Sequence, residues 1–421
     1  MIKILIRFGD LMLKGRNIRV FVNKLNENIK FKLKDLDVKV EKLHDRTIIH
    51  VDESIKDEVI KRLKRVPGIH SYSIIYIANK DIEDIIRVAK EMMLRDFNQE
   101  NLRFKIEVKR SDKSYPMTSQ EFTKMIAPKI LSAVNIQYLI DVKNPEAILS
   151  IDIRRDGVYM HTKSHLLMGG FPGGIAGKAF VMTSGGIDSP VAAFLAIKQG
   201  VDVSLLHFES TPMTPLESVQ KVIDLAKKLS VFMPKNKIKL HFVPFAKTHQ
   251  ALLMNVKDSY TITVMRRMMY RIGEMYAEKM GADILISGDS IGQVASQTLA
   301  SLRVVEEVTR IPIIRPLATY DKQEIINIAH EIDTFDISIR PFNDCCSIYV
   351  PRNPVINPKS KDAEFYESKF EFMPLLNEAI ENIITIDIDE NTDFNVIDFG
   401  FDLKDAYENY LEEKNDNIST Q

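Results

Sequence analysis

The stretch from Ser184 to Ser189, Ser-Gly-Gly-Ile-Asp-Ser, is the part of this 421-residue sequence whose residue types and spacing most clearly support chemistry. An apolar run from Ala179 to Met182 precedes it, and Pro190 suits the first turn of a following helix. Two adjacent glycines let the backbone approach a ligand closely, and the free N–H groups of such a turn bind anions. The two serine hydroxyls lie beside them. The pattern therefore predicts a cradle for phosphate.

This loop differs from the phosphate-binding loop of kinases and GTPases, because no Lys-Ser or Lys-Thr pair follows the second glycine. Asp188 is the candidate for holding Mg²⁺ or organising phosphate, since ATP binds as a metal complex and a cation offsets the charge that develops on leaving pyrophosphate. The alternative for Asp188 is the N-cap of a helix. The alternative for the whole loop is a glycine-rich turn that binds nothing.

The second candidate for chemistry is the adjacent pair Cys345 and Cys346, the two cysteines of the sequence. Two thiols exclude a disulfide framework and are too few for a cysteine-only zinc site. They lie between Pro341 and Pro351 in a loop-like stretch, and a thiolate is the side chain best suited to carrying transferable sulfur. A buried, inert pair is the alternative.

The elements that must position these groups follow from hydrophobic periodicity. In the first 165 residues the patterns predict two small α+β units, with strands at 2–8, 47–51, 71–77, 102–109, 148–154 and 158–164 and helices at 17–31, 54–65, 82–97 and 119–134. Strict alternation over 102–109 indicates a half-buried strand. Its outer face carries Arg103, Lys105, Glu107 and Lys109.

The pattern changes after a glycine-rich stretch. Residues 168–177 contain five glycines and a proline, which predicts a linker. Beyond it, apolar strands at 179–182, 203–208, 239–245 and 284–287 are separated by helix-length segments. This order predicts a parallel sheet covered on both faces, in which ligands bind at the carboxyl ends of the strands.

Composition narrows the class of protein. With 45% hydrophobic and 27% charged residues, the chain is not wholly disordered. No apolar run reaches the length of a membrane span, and Lys3 and Arg7 interrupt the start of the chain where a signal peptide would be apolar. We therefore expect a cytoplasmic protein without a membrane partner.

The net charge of −1 conceals a strong segregation of charge along the chain. Residues 1–165 carry 32 basic and 23 acidic side chains, residues 166–361 carry 22 and 18, and residues 362–421 carry 3 and 17. A basic amino-terminal region is typical of a protein that meets a polyanion, although ordinary solvated surfaces also reach this excess.

The Ser184–Ser189 loop resembles the PP-loop of ATP pyrophosphatases, which split ATP into AMP and pyrophosphate while adenylating a substrate. Nearly the whole chain is similar to the tRNA sulfurtransferase (tRNA 4-thiouridine synthetase) family. Further motifs in family order carry the likeness: Phe8-Gly-Asp-Leu-Met-Leu-Lys-Gly-Arg-Asn17, Leu206-His-Phe208, Met265-Arg-Arg-Met-Met-Tyr-Arg271, Gly288-Asp-Ser-Ile-Gly-Gln-Val-Ala-Ser-Gln-Thr298, Arg315-Pro-Leu-Ala-Thr-Tyr-Asp-Lys322 and Asp344-Cys-Cys-Ser.

The resemblance implies an α/β fold class with the following domains. A ferredoxin-like subdomain at 1–60 and a THUMP RNA-binding domain at 61–165, both α+β, precede the glycine-rich linker at 166–177. A PP-loop domain of the adenine nucleotide alpha-hydrolase type, built on a parallel sheet, occupies 178–400. An acidic tail covers 401–421.

The resemblance also implies the nucleotide site. Together with the cradle residues, the implied ATP contacts are Met182, Thr183, Ser184, Gly185, Gly186, Ser189, His207, Phe208, Arg266, Gly288 and Gln297. Several of these residues fall at or just after the ends of predicted strands, where open α/β sheets bind ligands. The alternatives are core packing for His207 and Phe208 and a surface cation for Arg266.

For catalysis the resemblance implies Cys346 as the sulfur-bearing residue, with Asp188 and Lys322 at the pyrophosphate end. Lys322 would act as a point charge on phosphate, and its alternative role is the start of a helix. Longer relatives carry a rhodanese-like domain with a second functional cysteine, and no cysteine follows Cys346 here. We therefore expect an external persulfide donor, a cysteine desulfurase. Resolution by Cys345 would need a strained disulfide, which favours an external reductant.

The predicted activity is ATP-dependent conversion of a uridine of tRNA, position 8 by resemblance, into 4-thiouridine through adenylation of the base and a Cys346 persulfide. The resemblance implies ATP and Mg²⁺ as cofactors. Sulfur transfer to the sulfur-carrier protein of thiamine synthesis and a homodimer are further expectations of the family. The alternatives are another PP-loop ligase that amidates or modifies tRNA and a non-catalytic RNA-binding protein.

RNA binding by the front of the chain rests on charge together with the resemblance. Such domains recognise folded RNA mainly by shape and backbone, with strong salt dependence. The alternative for each basic residue is a solvated surface. The candidate phosphate contacts are Lys14, Arg16, Arg103, Lys105, Lys109 and Arg110.

Overall fold

The computed structural model describes residues 2–43, 45–342, 344 and 353–419. The chain divides into two compact units, residues 1–170 and 171–421. In the part of the chain that is described, no helix combines the length and apolarity that crossing a membrane requires.

The first unit is built on one nine-stranded sheet with the order β2-β3-β1-β4-β8-β7-β5-β6, and β9 pairs separately with β4. Neighbouring strands are antiparallel except that β5 runs parallel to both β6 and β7. The strands are β1 (Ile2–Arg7), β2 (Val38–Lys42), β3 (Arg46–Val51), β4 (Ser71–Ala78), β5 (Arg103–Arg110), β6 (Leu139–Ile140), β7 (Ala147–Arg154), β8 (Gly157–His161) and β9 (His165–Leu166).

Among the described residues of this unit, four α-helices accompany the sheet: α1 (Ile18–Lys32), α2 (Lys56–Leu63), α3 (Ile82–Asp96) and α4 (Ser119–Ala133). Capping residues start two of them. The Asp81 carboxylate accepts the N–H of Asp84 at the start of α3, and Thr118 and Glu121 form a reciprocal capping box on α4. Short 3-10 helices lie at Gly9–Leu13, Gly15–Asn17 and Glu53–Ile55.

The second unit contains a six-stranded sheet with the order β14-β13-β10-β11-β12-β15. Its strands are parallel except for β15, which runs antiparallel to β12 at one edge. The strands are β10 (Lys178–Met182), β11 (Asp202–Glu209), β12 (Ile238–Pro244), β13 (Ile284–Ser287), β14 (Ile313–Ile314) and β15 (Ile384–Ile388).

The helices of the second unit lie between and after these strands, with further 3-10 turns at Asp258–Tyr260 and Ala295–Gln297. Their bounds are α5 (Asp188–Lys198), α6 (Leu216–Ser230), α7 (Ala246–Asn255), α8 (Thr261–Met280), α9 (Leu299–Glu306), α10 (Lys322–Glu331), α11 (Phe335–Ser338), α12 (Ser360–Glu367), α13 (Phe372–Glu381), α14 (Val396–Phe399) and α15 (Leu403–Ser419). Within the segment predicted as an acidic tail, α15 buries Leu403, Ala406 and Tyr410.

The structure confirms the predicted fold class, an α+β front followed by a parallel-sheet domain. Alternation was a reliable guide to β5, in which Phe104 and Ile106 are buried while Arg103, Glu107 and Lys109 are exposed. The strand predicted at 158–164 is wrong in extent, because β8 ends at His161 and the chain pairs again only in β9. Residues 169, 170, 174 and 177 of the glycine-rich stretch have positive φ angles, which explains why neither a helix nor a strand continues through it.

Helix α8 is anchored by a buried cluster of charges. Arg267 and Arg271, one turn apart, both bond to Glu367 of α12, with N–O distances between 2.7 and 3.1 Å. Burial raises the pKa of Glu367, but the hydrogen bonds from Arg271 and Arg267 outweigh it, so the pKa is lowered overall. Arg266 is adjacent to Arg267 on α8. The cluster that anchors α8 therefore also fixes the position of Arg266.

We predict that Glu367→Gln lowers the free energy of unfolding by about 3 kcal/mol at pH 7, because it removes the carboxylate that neutralises buried Arg267 and half-buried Arg271. A carboxylate with a lowered pKa stabilises the fold above its unfolded pKa, and the contribution is lost as the pH falls through the folded value. The difference between variant and wild type should therefore shrink below about pH 4.3. Urea unfolding at several pH values measures it.

The matched control is Glu364→Gln on the exposed face of the same helix. A surface substitution of this kind should change stability by less than about 0.5 kcal/mol. Equal losses for the two variants at pH 7 would contradict the anchoring role of Glu367.

Candidate functional site

The loop between β10 and α5 is shaped by its own serines. The N–H of Ser184 donates to Oγ of Ser189 at 3.0 Å, and that hydroxyl donates to the Ser184 carbonyl at 2.9 Å. The N–H of Gly186 donates to Oγ of Ser184 at 3.3 Å. Both hydroxyls therefore hold the turn in place. Their further role beside a phosphate stays a prediction.

Three parallel strands end at this loop, as expected for an open α/β sheet. β10 ends at Met182, and Gly288 directly follows β13. On β11, His207 and Phe208 are only 3% and 5% exposed. The imidazole Nδ1 of His207 donates to the Thr183 carbonyl at 2.9 Å. The structure thus brings these residues to the loop, with His207 as a buried support of its first turn; their contact with a nucleotide stays a prediction.

Gly288 lies against the first turn of α5. A Cβ atom at this position would lie 2.9 Å from the Ser189 nitrogen and 3.0 Å from its Cα. These neighbours are backbone atoms, which cannot rotate away as a flexible side chain could. A residue without Cβ is therefore required here by close approach rather than by an unusual φ angle.

Arg266 and Gln297 converge on a carboxylate that the sequence analysis did not select. Oδ2 of Asp289 accepts from Arg266 and from the Ser287 hydroxyl, both at 2.6 Å, and Oδ1 accepts from the Gln297 amide at 3.3 Å. Arg315 approaches the same carboxylate at 3.4 Å. Burial raises the pKa of Asp289, but the two arginines and the hydroxyl lower it further, so the net shift is downward. Asp289 therefore positions two cations beside the loop as an ionised group.

Asp188 and Lys322 form an ion pair across two helix N-termini. Asp188 is the first residue of α5 and Lys322 is the first residue of α10. The ammonium of Lys322 lies 2.6 Å from Oδ1 of Asp188, and the Gln293 amide donates to Oδ2 at 3.0 Å. Asp188 does not act as a helix N-cap, whereas Asp321 caps α10. Because helix N-termini carry partial positive charge, this end of the loop favours anions.

The other end of the loop is tied to the segment that leads to the cysteines. The N–H of Gly185 donates to Oδ2 of Asp344 at 2.7 Å. Lys221 of α6, 4% exposed, donates to the carbonyls of Arg340 at 2.9 Å and Phe342 at 3.4 Å. These contacts bring Arg340, Phe342 and Asp344 close to the glycine turn.

Cys345 and Cys346 lie outside the described residues. Their predicted roles can therefore be related to the site only through Asp344, the residue that precedes them in the chain.

The candidate RNA-binding residues belong to the first unit and do not form one cluster. Lys109 and Arg110 line a cleft of about 980 Å³, together with other basic side chains at Arg7, Arg46, Lys113 and Arg154 and with acidic ones at Asp45, Glu107 and Asp152. Lys14, Arg16, Arg103 and Lys105 are not part of its lining. Arg103 pairs with Glu146 at 3.2 Å and Lys105 with Glu107 at 3.5 Å.

A histidine contributes to the polarity of this cleft. The guanidinium of Arg7 lies 2.7 Å from Nε2 of His161. Burial and the charge of Arg7 lower the pKa of His161 to about 4. The imidazole is therefore neutral at pH 7, and its Nε2 accepts a hydrogen bond from Nη2 of Arg7. Because this partner is uncharged, it does not neutralise the positive charge of Arg7 in the cleft.

Sequence reasoning did not identify Lys221, Asp289 and Asp344, which the structure places at this site. A signal existed for Lys221, since it stands in the apolar stripe of α6 beside Val222 and at helical spacing from Leu225. Asp289 and Asp344 belong to motifs that carry the family resemblance. Neighbouring residues in those motifs have better known chemistry, so these two carboxylates were not selected. Their partners are distant in sequence, which a motif does not reveal.

Comparison with protein families matches the chain in three parts. The model described as "Thiamine biosynthesis protein (ThiI)" matches residues 174–372. The "ThiI ferredoxin-like domain" matches 3–73, and the "THUMP domain" matches 79–163.

Individual relatives extend the match to almost the full chain. A probable tRNA sulfurtransferase of Acholeplasma laidlawii (strain PG-8A) is 54% identical over 410 residues, which cover 97% of this chain and 99% of that protein. A crystal structure of a 4-thiouridine synthetase–RNA complex with bound ATP is 33% identical with a TM-score of 0.82, covering 92% of this chain and 100% of the other. The PH1313 protein of Pyrococcus horikoshii has the same fold at 21% identity, with a TM-score of 0.58 over 79% of this chain and 100% of the other.

The close approach at Gly288 predicts that Gly288→Ala lowers the free energy of unfolding by about 2 kcal/mol, since overpacking against fixed backbone has this order of cost. Gly186→Ala is the control from the same site, because its Cβ would meet only the Ser184 hydroxyl at 3.3 Å. Urea unfolding followed by circular dichroism compares them. A Gly288→Ala protein as stable as Gly186→Ala would show that the strand end has room to move.

Proposed function

This chain belongs to the tRNA sulfurtransferase family, and from that premise we propose that it adenylates a uridine of tRNA with ATP and replaces the oxygen by sulfur carried on Cys346. It is a sulfurtransferase enzyme, and it binds ATP and tRNA. The activity supported by its relatives is 4-thiouridine synthesis. The order of steps and the residue roles are our proposal, and position 8 of tRNA is the proposed target.

In the first half-reaction, O4 of the uracil attacks the α-phosphorus of ATP and the bond to the β-phosphate breaks. Pyrophosphate leaves with that bonding pair, the N3 proton of the uracil passes to solvent, and O4 becomes part of an AMP leaving group. The loop N–H groups, Lys322 and the positive ends of α5 and α10 would bind the pyrophosphate portion. Arg266, held by Asp289, is the proposed contact for the α-phosphate side. Met182, Thr183, His207, Phe208, Gly288 and Gln297 are proposed to surround the nucleotide.

Mg²⁺ fits this arrangement as part of the ATP complex. In the described segments no group of three or more His, Cys, Asp or Glu side chains is arranged to hold a metal. Mg²⁺ is commonly bound through one or two carboxylates together with substrate phosphates. Asp188, with a side chain 22% exposed at the loop, is the carboxylate that would hold it. The cation would offset the charge on the departing pyrophosphate.

The observation that carries the second half-reaction is the 2.7 Å hydrogen bond between Gly185 and Asp344. Cys346 is two residues beyond Asp344, and two residues span at most about 7 Å. We therefore propose that the thiol acts close to the loop that would hold the activated nucleotide. This proximity supports Cys346, rather than a free sulfide source, as the carrier.

In the proposed transfer, the terminal sulfur of a Cys346 persulfide forms a bond to C4 of the uracil, and AMP departs with the former O4. Cleavage of the S–S bond needs two electrons. An external thiol reductant supplies them in our proposal, because a disulfide with the neighbouring Cys345 would be strained. A cysteine desulfurase is the proposed persulfide donor. The family description as a thiamine biosynthesis protein supports a sulfur-carrier protein as a second acceptor, and a homodimer stays a prediction.

We predict that Cys346→Ala lowers the formation of 4-thiouridine by about 100-fold or more, while tRNA-dependent release of pyrophosphate continues. The reason is that adenylation needs the loop but not the thiol. Mass spectrometry of the tRNA and an assay for pyrophosphate measure the two steps separately.

Cys345→Ala is the control for this prediction. It should retain both activities when a reductant is present. Full thiolation by Cys346→Ala with a persulfide donor would refute the assignment, and amidated in place of thiolated tRNA would favour the ligase alternative.

For RNA, we propose that the basic cleft containing Lys109 and Arg110 contacts the phosphate backbone. Its lining has six Lys and Arg side chains and three Asp and Glu side chains, and Lys109 is exposed at its edge. Arg103 and Lys105, which pair with acidic neighbours, would contribute less. Contacts to phosphate fix orientation and give salt-dependent affinity rather than sequence preference.

Lys109→Ala should weaken tRNA binding and make the slope of log affinity against log salt concentration shallower by about 0.9, the loss of one phosphate contact. Filter binding at several salt concentrations measures the slope. Lys129→Ala, an exposed lysine of α4 outside the cleft lining, is the control and should leave it unchanged. Identical slopes for Lys109→Ala and wild type would exclude Lys109 as a phosphate contact.

A further inference from the structure

The glycine turn that should bind phosphate already holds an anionic group of the chain itself. The N–H of Gly185 is one of the donors expected to face a phosphate, and Oδ2 of Asp344 accepts from it at 2.7 Å. A carboxylate oxygen resembles a phosphate oxygen in charge and in the geometry of the hydrogen bonds that it accepts. Asp344 therefore stands where a phosphate oxygen would receive the same hydrogen bond.

Buried Lys221 lies beside this contact and stabilises it by its positive charge. The alkyl chain of Lys221 packs under the loop, so that a Cβ on Gly185 would lie 2.9 Å from its Cδ. Burial lowers the pKa of the Lys221 ammonium, while its interaction with the Asp344 carboxylate raises it. Lys221 and Asp344 thus belong to one electrostatic unit. Removal of the carboxylate alone would leave a buried positive charge that favours another anion.

We propose that Asp344 and the pyrophosphate portion of ATP compete for the Gly185 N–H and for the charge of Lys221, so that nucleotide binding releases Asp344 from the loop. The inference rests on the proposed function, because it assumes that this loop binds the pyrophosphate portion. A single N–H cannot donate at full strength to two anionic oxygens. The anion that accepts the hydrogen bond from Gly185 also has Lys221 as its counter-charge.

This competition couples two events in the reaction. Before ATP binds, the Gly185 contact holds Asp344 against the loop. When phosphate takes the donor, Asp344 is freed, and Lys221 keeps its bonds to the Arg340 and Phe342 carbonyls as the remaining tie. Part of the binding free energy of ATP is thereby used to break the Asp344 contact, and the affinity of the wild-type protein for pyrophosphate is reduced by the same amount.

The test is equilibrium binding of inorganic pyrophosphate, ATP and AMP to the full-length protein by calorimetry. Asp344→Ala should bind pyrophosphate and ATP about tenfold more tightly than wild type, which corresponds to about 1.4 kcal/mol. AMP lacks the competing phosphates and should bind with unchanged affinity. A purely structural role for Asp344 would predict weaker binding of all three.

Two further variants keep the test decisive if Asp344→Ala is unstable. Asp344→Asn keeps the shape and one acceptor oxygen but not the charge, and should bind pyrophosphate with an affinity between those of wild type and Asp344→Ala. Asp336→Ala removes an exposed carboxylate earlier on the same segment and should match wild type. Unchanged or weaker pyrophosphate binding by both Asp344 variants would overturn the competition.

Hydrogen exchange distinguishes failure of this inference from failure of the proposed function. In wild type, ATP should slow exchange in residues 183–189 and speed it in residues 336–344. Slower exchange in both segments would overturn the competition while leaving the ATP site intact. An absence of ATP and pyrophosphate binding to wild type would overturn the proposed function and the inference together.

Discussion

The hydrogen bond from the Gly185 N–H to Asp344 joins two segments that lie 159 positions apart in the sequence. In our proposal this contact opens while the loop holds pyrophosphate and forms again once pyrophosphate has left, so that activation of the base and transfer of sulfur occur at the same place. The loop alone would make an ATP site, and the cysteine alone would make a reactive thiol. The structure brings Asp344, two residues before Cys346, to the loop beside buried Lys221, and this contact supports the proposal of sulfur substitution on an activated base.

Other elements of the second unit position the residues around this contact. Parallel strands bring Met182, His207 and Gly288 to one edge, and α5 starts so close to β13 that only a glycine fits between them. Helix α8 presents Arg266 to Asp289 on one face and Arg267 with Arg271 to Glu367 on another. Asp289 and Glu367, which would be costly to bury alone, thus each have two arginine partners, and each cluster fixes the orientation of an element at the site.

The first unit carries an excess of basic residues, whereas the end of the chain carries an excess of acidic residues. Basic residues concentrate before residue 165 and acidic residues after residue 362. In our proposal the cleft lined by Arg7, Lys109 and Arg110 contacts a polyanion, which the acidic segment that includes α15 would repel. The segregation favours binding of tRNA through the first unit and discourages nonproductive contacts elsewhere.

The sequence by itself determined the fold class, most strand and helix positions, the glycine turn and the family, because these depend on local periodicity and on motifs of a few residues. It did not indicate β2, whose five residues include three charged ones, or the antiparallel β15 at the sheet edge. The tertiary structure alone decided that Asp289 organises Arg266 and Gln297, and that Lys221 and Asp344 meet the loop. A buried charge is acceptable only beside a partner, and the chain's packing, not the spacing of residues along it, selects that partner.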